Sequence, residues 1–209
     1  MSTDATTAAP VRRRGGPTKG DQREAAIVDA TRRLLATKSV NELTVDAIAK
    51  AAGVSRTAFY FYFPTKQAVV ADLLDGLWDR FGDSYGWLDT TGADRAALLE
   101  HHRLVAEVWR QHASILSCTT GPSLDYQPLL EWADRARARF VDGLAAKIGR
   151  DRAEGIAPDG VDARALAQMV FDLRDARMRA VASMDEADVE QALVDLTEGV
   201  LRLLYGAVG

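Results

Sequence analysis

The sequence contains one cysteine, Cys118, in 209 residues, so neither an internal disulfide framework nor a multi-cysteine zinc site can be assembled, and a reducing, cytoplasmic setting fits. Histidine is almost as scarce. His101 and His102 are neighbours pointing about 100° apart on a helix, and His101 and His112 stand roughly 16 Å apart along its axis, so the three cannot share a metal. No run approaches the roughly 18 apolar residues of a membrane span, and the opening stretch MSTDATTAAP has no apolar core for a secretory signal. No basic group stands beside Cys118 in the sequence to activate it, which favours a buried structural thiol over a nucleophile. The segment GGPTKG lacks both the preceding strand and the full spacing of a phosphate-binding loop. These absences argue against an enzyme, a metal site, a cofactor and a membrane partner.

What is present begins with ordinary globular proportions, 47 % hydrophobic and 27 % charged residues. The formal net charge of -4 argues against nucleic-acid binding when taken over the whole chain. Its distribution argues the other way. Residues 1–66 hold 11 basic and six acidic side chains, a net of +5, which leaves 15 basic and 24 acidic, a net of -9, for residues 67–209. A small basic unit joined to a larger acidic one implies that only the first meets a polyanion.

No alternating strand pattern competes with helical periodicity, and the chain reads as an all-α protein of about nine helices. Residues 1–20, poor in large apolar groups and carrying Arg12, Arg13, Arg14 and Lys19, are expected to form a flexible basic arm. A first helix is expected from Asp21, with Ala26, Ile27, Ala30, Leu34 and Leu35 on one face. Thr44 can cap a second that ends at Gly53, and Ser55 a third that Pro64 closes. A fourth runs from Thr65 through Phe81, and further helices follow around Leu98–Trp109, Ile115–Leu116, Leu129–Ile148, after Asp162 and from about Glu186. The expected division is an arm at 1–20, a DNA-binding unit at 21–66 and a ligand-binding and dimerisation unit at 67–209.

Residues 44–63, TVDAIAKAAGVSRTAFYFYF, read as helix, tight turn and helix, the layout in which one helix braces on the DNA backbone and the next enters the major groove. Phe59 and Phe63 share one face, suited to packing inward, and Arg56 and Tyr60 share another, suited to solvent or DNA. Five of the chain's fifteen aromatic residues fall between positions 59 and 63. An αα corner without DNA-binding function would show the same periodicity; the local charge excess and the cationic arm favour DNA.

The stretch TVDAIAKAAGVSRTAFYFYFPTKQAVVADLL closely resembles the N-terminal signature of TetR-family transcriptional repressors, and FYFYFPTKQAV is similar to the actinobacterial ethionamide-repressor type. That resemblance implies an Ω-shaped all-helical protomer, a homodimer formed by the last two helices, and a ligand pocket in the acidic domain. Carried onto this sequence, the family's groove and backbone contacts fall on Thr44, Ser55, Arg56, Thr57, Tyr60, Tyr62 and Lys66. Chemistry then divides the roles: Arg56 and Thr57 for base edges, the hydroxyls of Thr44, Ser55, Tyr60 and Tyr62 for phosphate oxygens, and Lys66 as a point charge for phosphate.

In the acidic unit, the last helix carries apolar residues at 189, 193, 196, 200, 203 and 204, and the one before it Leu166, Val170 and Leu173, stripes that could be core or, by the resemblance, a dimer face. Trp109, Trp132, Phe140 and Phe171, with Met169 and Leu144, could line an apolar pocket or fill an ordinary core. Asp172 and Asp175, three apart on a mostly apolar helix, depart from the neutral polar side chains that the ethionamide-repressor type carries there. They suit a cationic or amine-bearing effector, or are neutralised by Arg174, Arg177 or Arg179, or are simply exposed. The candidate ligand-binding residues are therefore Trp109, Phe140, Leu144, Phe171, Asp172 and Asp175. The leading expectation is a repressor that binds operator DNA as a homodimer and is released by a small-molecule effector. The alternative is a helical small-molecule-binding protein with a vestigial DNA-binding module.

Overall fold

Nine α-helices and two 3-10 segments make up the regular structure of residues 18–119 and 126–206, the part that the computed structural model describes, the side chains of Asp79, Arg80 and Asp83 apart; no strand occurs among them. The helices are α1 (Lys19–Leu35), α2 (Val45–Ala52), α3 (Arg56–Tyr62), α4 (Lys66–Asp75), α5 (Trp78–Asp83), α6 (Arg95–Leu116), α7 (Gln127–Ala153), α8 (Ala163–Val181) and α9 (Glu186–Tyr205), with 3-10 segments at Ser84–Asp89 and Ser117–Thr119.

Helix ends follow local chemistry. Thr18 and Asp21 form a reciprocal capping box, Thr18 Oγ1 accepting from the Asp21 N–H at 3.2 Å and Asp21 Oδ2 from the Thr18 N–H at 2.8 Å. Helix α1 therefore starts at Lys19, two residues before the expected Asp21, and takes in the end of the expected arm; the arm's remaining residues, 1–17, lie outside the described residues. The single helix expected from Thr65 through Phe81 is interrupted at Gly76 and Leu77, where a turn sends Leu77 into the core and lets Trp78 and Phe81 pack edge-on against Trp132 of α7. The two helices expected around Trp109 and Ile115 are both present and meet at a kink at His112, whose φ of -130° and ψ of 22° are not helical; the two limbs are labelled together as α6.

The core runs without a break from the N-terminal helices into the body. Phe59 of α3 and Phe63 just after it join Ile27 and Leu35 of α1 and Ile48 of α2, and α4 contributes Val69, Val70, Leu73 and Leu74. Helix α4 packs on α1 at one side and on α6 and α7 at the other; α8 lies on α6 and α7, and α9 on α6 and α8. Most of the stripes weighed as a dimer face are intrachain core: Leu193, Leu196, Val200 and Leu204 of α9 and Leu166 and Val170 of α8 are buried within one protomer. Met169, Leu173 and Leu203 are the large apolar side chains that these helices leave exposed, so Met169 cannot line an internal pocket.

One ionic cluster is enclosed. Lys147 Nζ lies 3.2 Å from Asp151 Oδ2 and donates to the Thr90 carbonyl at 2.6 Å, while Asp151 also accepts from the Gly92 N–H and lies 2.6 Å from the Tyr205 hydroxyl. Burial pushes the Asp151 carboxyl up, but the Tyr205 hydroxyl, the Gly92 N–H and the Lys147 ammonium together hold it below the usual carboxylate range. This cluster ties α7 to α9 and to the loop before α6. Removing one partner strands a buried charge, so Lys147→Met should destabilise the protein by about 3 kcal/mol, read as a lower urea midpoint at unchanged m-value.

Candidate DNA interface and ligand cavity

The turn between α2 and α3 is built from three local devices. Thr44 Oγ1 accepts from the Ala47 N–H and Ser55 Oγ from the Ala58 N–H, each at 3.1 Å, which caps both helices. Between them Gly53 sits at φ 69°, ψ 27°, a left-handed conformation that L side chains adopt at a cost, and the Val54 N–H closes on the Ala49 carbonyl. With Phe59 and Phe63 buried beneath it, α3 presents Arg56, Thr57, Tyr60 and Phe61 outward. Phe61, 83 % exposed, is the member of that face which sequence reasoning left out.

The seven predicted DNA-contact residues are not alike in this structure. Arg56 and Thr57 are exposed at the first turn of α3. Arg56 Nη1 donates to Asp46 Oδ2 at 2.6 Å and its Nη2 to the Tyr60 hydroxyl at 3.3 Å. The Asp46 carboxylate holds the guanidinium above its ordinary range, but the pair is exposed, where such bridges are worth little and exchange readily. The hydroxyls of Thr44 and Ser55 accept from the backbone and keep their protons free to donate. Tyr62 is half-buried, its hydroxyl beside Gly20 at the start of α1. Lys66 departs from expectation. Its ammonium donates to the Leu43 carbonyl at 2.6 Å and the Asn41 carbonyl at 3.2 Å, so it clasps the loop before α2. The same loop is held from within by Glu42, which accepts from the Ser39 hydroxyl and N–H.

In the body, a cavity of about 220 Å³ opens between α5, α6, α7 and α8. Of the six predicted ligand residues, Trp109, Phe171 and Asp175 belong to its wall. Phe140 lies behind the wall as a buried platform, and Leu144 is fully buried core. Asp172 is not in the wall; it is exposed and paired with Arg137 of α7, while Asp175 is paired with Arg179 one turn along. Both carboxylates are thus neutralised, Asp175 by one of the arginines anticipated and Asp172 by one from another helix, and the motive for a cationic effector is gone.

What the wall holds instead is Arg174, 6 % exposed. Its guanidinium carbon lies 4.0 Å from the centre of the Phe140 ring and 5.1 Å from that of Phe171, and Nη1 is 3.3 Å from His101 Nε2. His101 Nδ1 lies 2.7 Å from the Ser84 carbonyl. That carbonyl can only accept, so the network assigns the proton to Nδ1 and leaves Nε2 to accept from Arg174. Burial, then the Arg174 charge, push His101 down to about 3, so the ring is neutral at pH 7. Arg174 was legible in one respect: it falls in the register of Leu166, Val170 and Met178, on the buried stripe of α8. Cys118 is buried, and burial pushes its thiol up to about 11, which removes it from nucleophilic chemistry at neutral pH. Among the described residues no cluster of His, Cys, Asp or Glu could hold a metal ion, and no helix is long and apolar enough to cross a membrane.

A helix-turn-helix head on an all-helical, cavity-bearing body defines a class of bacterial transcription regulators, and the sequence comparisons agree. Residues 27–73 match the bacterial regulatory proteins of the tetR family, and residues 100–206 match the C-terminal domain of the transcriptional regulator EthR. The chain belongs to the TetR family of transcriptional regulators, with an EthR-type C-terminal domain. It is 31 % identical over 212 residues to the HTH-type transcriptional regulator EthR of Mycolicibacterium smegmatis, covering 100 % of this chain and 98 % of that one. It is 28 % identical over 210 residues to EthR of Mycobacterium tuberculosis, covering 93 % and 92 %. Its fold is similar to that of the transcriptional regulator FadR from Bacillus subtilis, solved in complex with stearoyl-CoA, at a TM-score of 0.64 and 19 % identity over 88 % of this chain and 99 % of that one. A TetR-family regulator from Mesorhizobium loti gives a TM-score of 0.66 at 16 % identity, covering 90 % and 99 %. These relatives are regulators, not enzymes.

Two expectations follow from the geometry. Between its folded value of about 3 and the ordinary 6.5, His101 is protonated only in the unfolded chain, so stability falls as pH drops through that window. The slope from this residue is at most about 1.4 kcal/mol per pH unit. Urea midpoints measured from pH 6.5 to 5 should therefore decline more steeply for the wild type than for His101→Gln. Lys66→Met should accelerate amide exchange across residues 39–44 and leave the salt dependence of DNA binding unchanged; a slope of log affinity against log salt reduced by about one would instead place the ammonium on a phosphate.

Proposed function

We infer that this regulator is a repressor, binding operator DNA as a homodimer through α3 and released when a small molecule occupies the cavity between α6, α7 and α8. The observation that carries the reading is the outward face of α3. A helix capped at Ser55 and seated on Phe59 and Phe63 turns Arg56, Thr57, Tyr60 and Phe61 to solvent, an arrangement that offers no advantage to an isolated helical bundle.

Arg56 and Thr57, at the N-terminal end of α3, are placed for base edges, and Arg56 exchanges the Asp46 carboxylate for a guanine edge on binding. Phe61 supplies an apolar surface of the kind that packs on thymine methyl groups. Thr44, Ser55, Tyr60 and Tyr62 carry hydroxyls for phosphate oxygens, and Lys66 acts at one remove, by fixing the loop that sets Thr44. Met169, Leu173 and Leu203 on the outside of α8 and α9 supply apolar contact for a second copy. A two-fold pair of protomers would bring two recognition helices to half-sites about 34–36 Å apart. Support for a ligand-responsive body comes from the EthR-type domain and from FadR of Bacillus subtilis, whose similar fold was solved holding stearoyl-CoA. The described helices contain no membrane-spanning segment, which accords with a cytoplasmic regulator.

A footprint on the intergenic DNA beside the gene tests this reading. It should show a two-fold symmetric protected site, and Arg56→Ala should relax the preference at one base position per half-site by about tenfold without abolishing non-specific binding. The absence of any retarded complex at low salt, with ligand-free protein, would contradict it.

A further inference from the structure

The cavity wall holds two buried hydrogen-bond donors for which the protein supplies no acceptor. Arg174 Nε and Trp132 Nε1 are both enclosed and both without a partner, and both side chains belong to the wall, Arg174 at 6 % and Trp132 at 4 % exposure. Buried polar groups are almost always satisfied, and a guanidinium taken out of water is far more expensive than a neutral donor. Among the described residues no carboxylate lies within salt-bridge distance of Arg174, whereas Arg137, the other arginine in the wall, is paired with Asp172. Asp175, its neighbour in sequence, acts on Arg174 only through space and is engaged by Arg179, and His101, which does meet Arg174, is neutral and accepts only through Nε2. The Tyr85 hydroxyl also accepts from Arg174, as a hydroxyl and not a carboxylate. The cation therefore rests on the faces of Phe140 and Phe171, which offset part of its lost hydration and bring no negative charge.

We propose that the cavity binds a compact ligand with an anionic group on Arg174 and Trp132 and an aromatic or apolar body against Trp109 and Phe171. The inference rests on the effector reading above for its biological consequence, but the site itself does not. A carboxylate accepts from a planar guanidinium fork and from an indole N–H together, which satisfies both orphaned donors and supplies the missing countercharge. The cavity's size limits the body. About 220 Å³ lies below the usual 300–1,000 Å³ of ligand pockets, which favours a ring or short chain over a long acyl chain. The remaining carboxylate of the wall, Asp134, is exposed at the rim, so it leaves the deep end of the cavity positive.

The test uses matched acids and amides on the intact protein: benzoate, phenylacetate, 3-phenylpropionate and 4-phenylbutyrate, each against its uncharged amide, followed by calorimetric titration at neutral pH. At least one acid should bind ten or more times tighter than its amide. Arg174→Met, which keeps the bulk and removes the charge, should abolish that acid's preference over its amide; Trp132→Phe should weaken the acid several-fold. Equal or tighter binding of the amides to the wild type, failure of all four acids to bind, or an acid preference that survives Arg174→Met would each overturn the proposal. The acid and amide comparison on the wild type holds even if a variant does not fold. Operator affinity measured alongside separates the two readings. An acid that binds at Arg174 without loosening the operator contradicts the effector reading alone, and a neutral ligand that releases the operator contradicts the anion site alone.

Discussion

Val69, Val70, Leu73 and Leu74 are each no more than 3 % exposed on the ten-residue helix α4, which packs against α1 of the DNA-reading head and against α6 and α7 of the body at the same time. Burying a side chain of this size is worth roughly 2 kcal/mol, so four of them bind α4 to both neighbours more strongly than either can yield by local loosening. Close-packed interfaces of this kind shift as units between discrete arrangements. Helix α4 is thus the packed link between α6 and α7 of the body and α1, on which the helix-turn-helix is seated.

The head is the part of the molecule most fully legible in the sequence, because its geometry is set by contacts a few residues long. Thr44, Ser55 and Thr65 cap the helices that follow them, Gly53 takes the left-handed turn, and Phe59 and Phe63 point inward as their spacing requires. Lys66 was read only as a point charge for phosphate because its partners here, the carbonyls of Asn41 and Leu43, are more than twenty residues away. In the body, helix existence was legible from periodicity, but which face met which neighbour was not. The stripe of α9 suited core by its pattern and a dimer face by the resemblance, and only the packing of α6 and α8 makes Leu193 and Val200 core. Asp172 and Asp175 drew attention as a repelling pair, yet Arg137 from α7 and Arg179 neutralise them. The residue with the unusual environment was Arg174, masked in sequence by the other arginines of α8 although it sits on the apolar stripe.

Charge organises the molecule at two scales. Across the chain, a basic head and an acidic body leave the phosphate backbone one surface to meet. Within the body, among the described residues, a single enclosed guanidinium stacked on aromatic rings is left with neutral hydrogen-bond partners. A buried charge of this kind costs stability, and a ligand that neutralises it gains affinity from the same imbalance. Such a ligand can shift the equilibrium between DNA-binding and released forms only by as much as it prefers one over the other.

That preference is measurable from either end, because coupling between two binding sites is reciprocal. The most direct measurement is the dissociation constant of one arylalkanoic acid ligand for the free protein and for the protein saturated with operator. Weaker binding to the operator complex is expected, by the same factor as the acid weakens operator binding. Equal affinity for the two forms would contradict it, and would mean that the cavity and the recognition helix, although packed on a common helix, do not communicate.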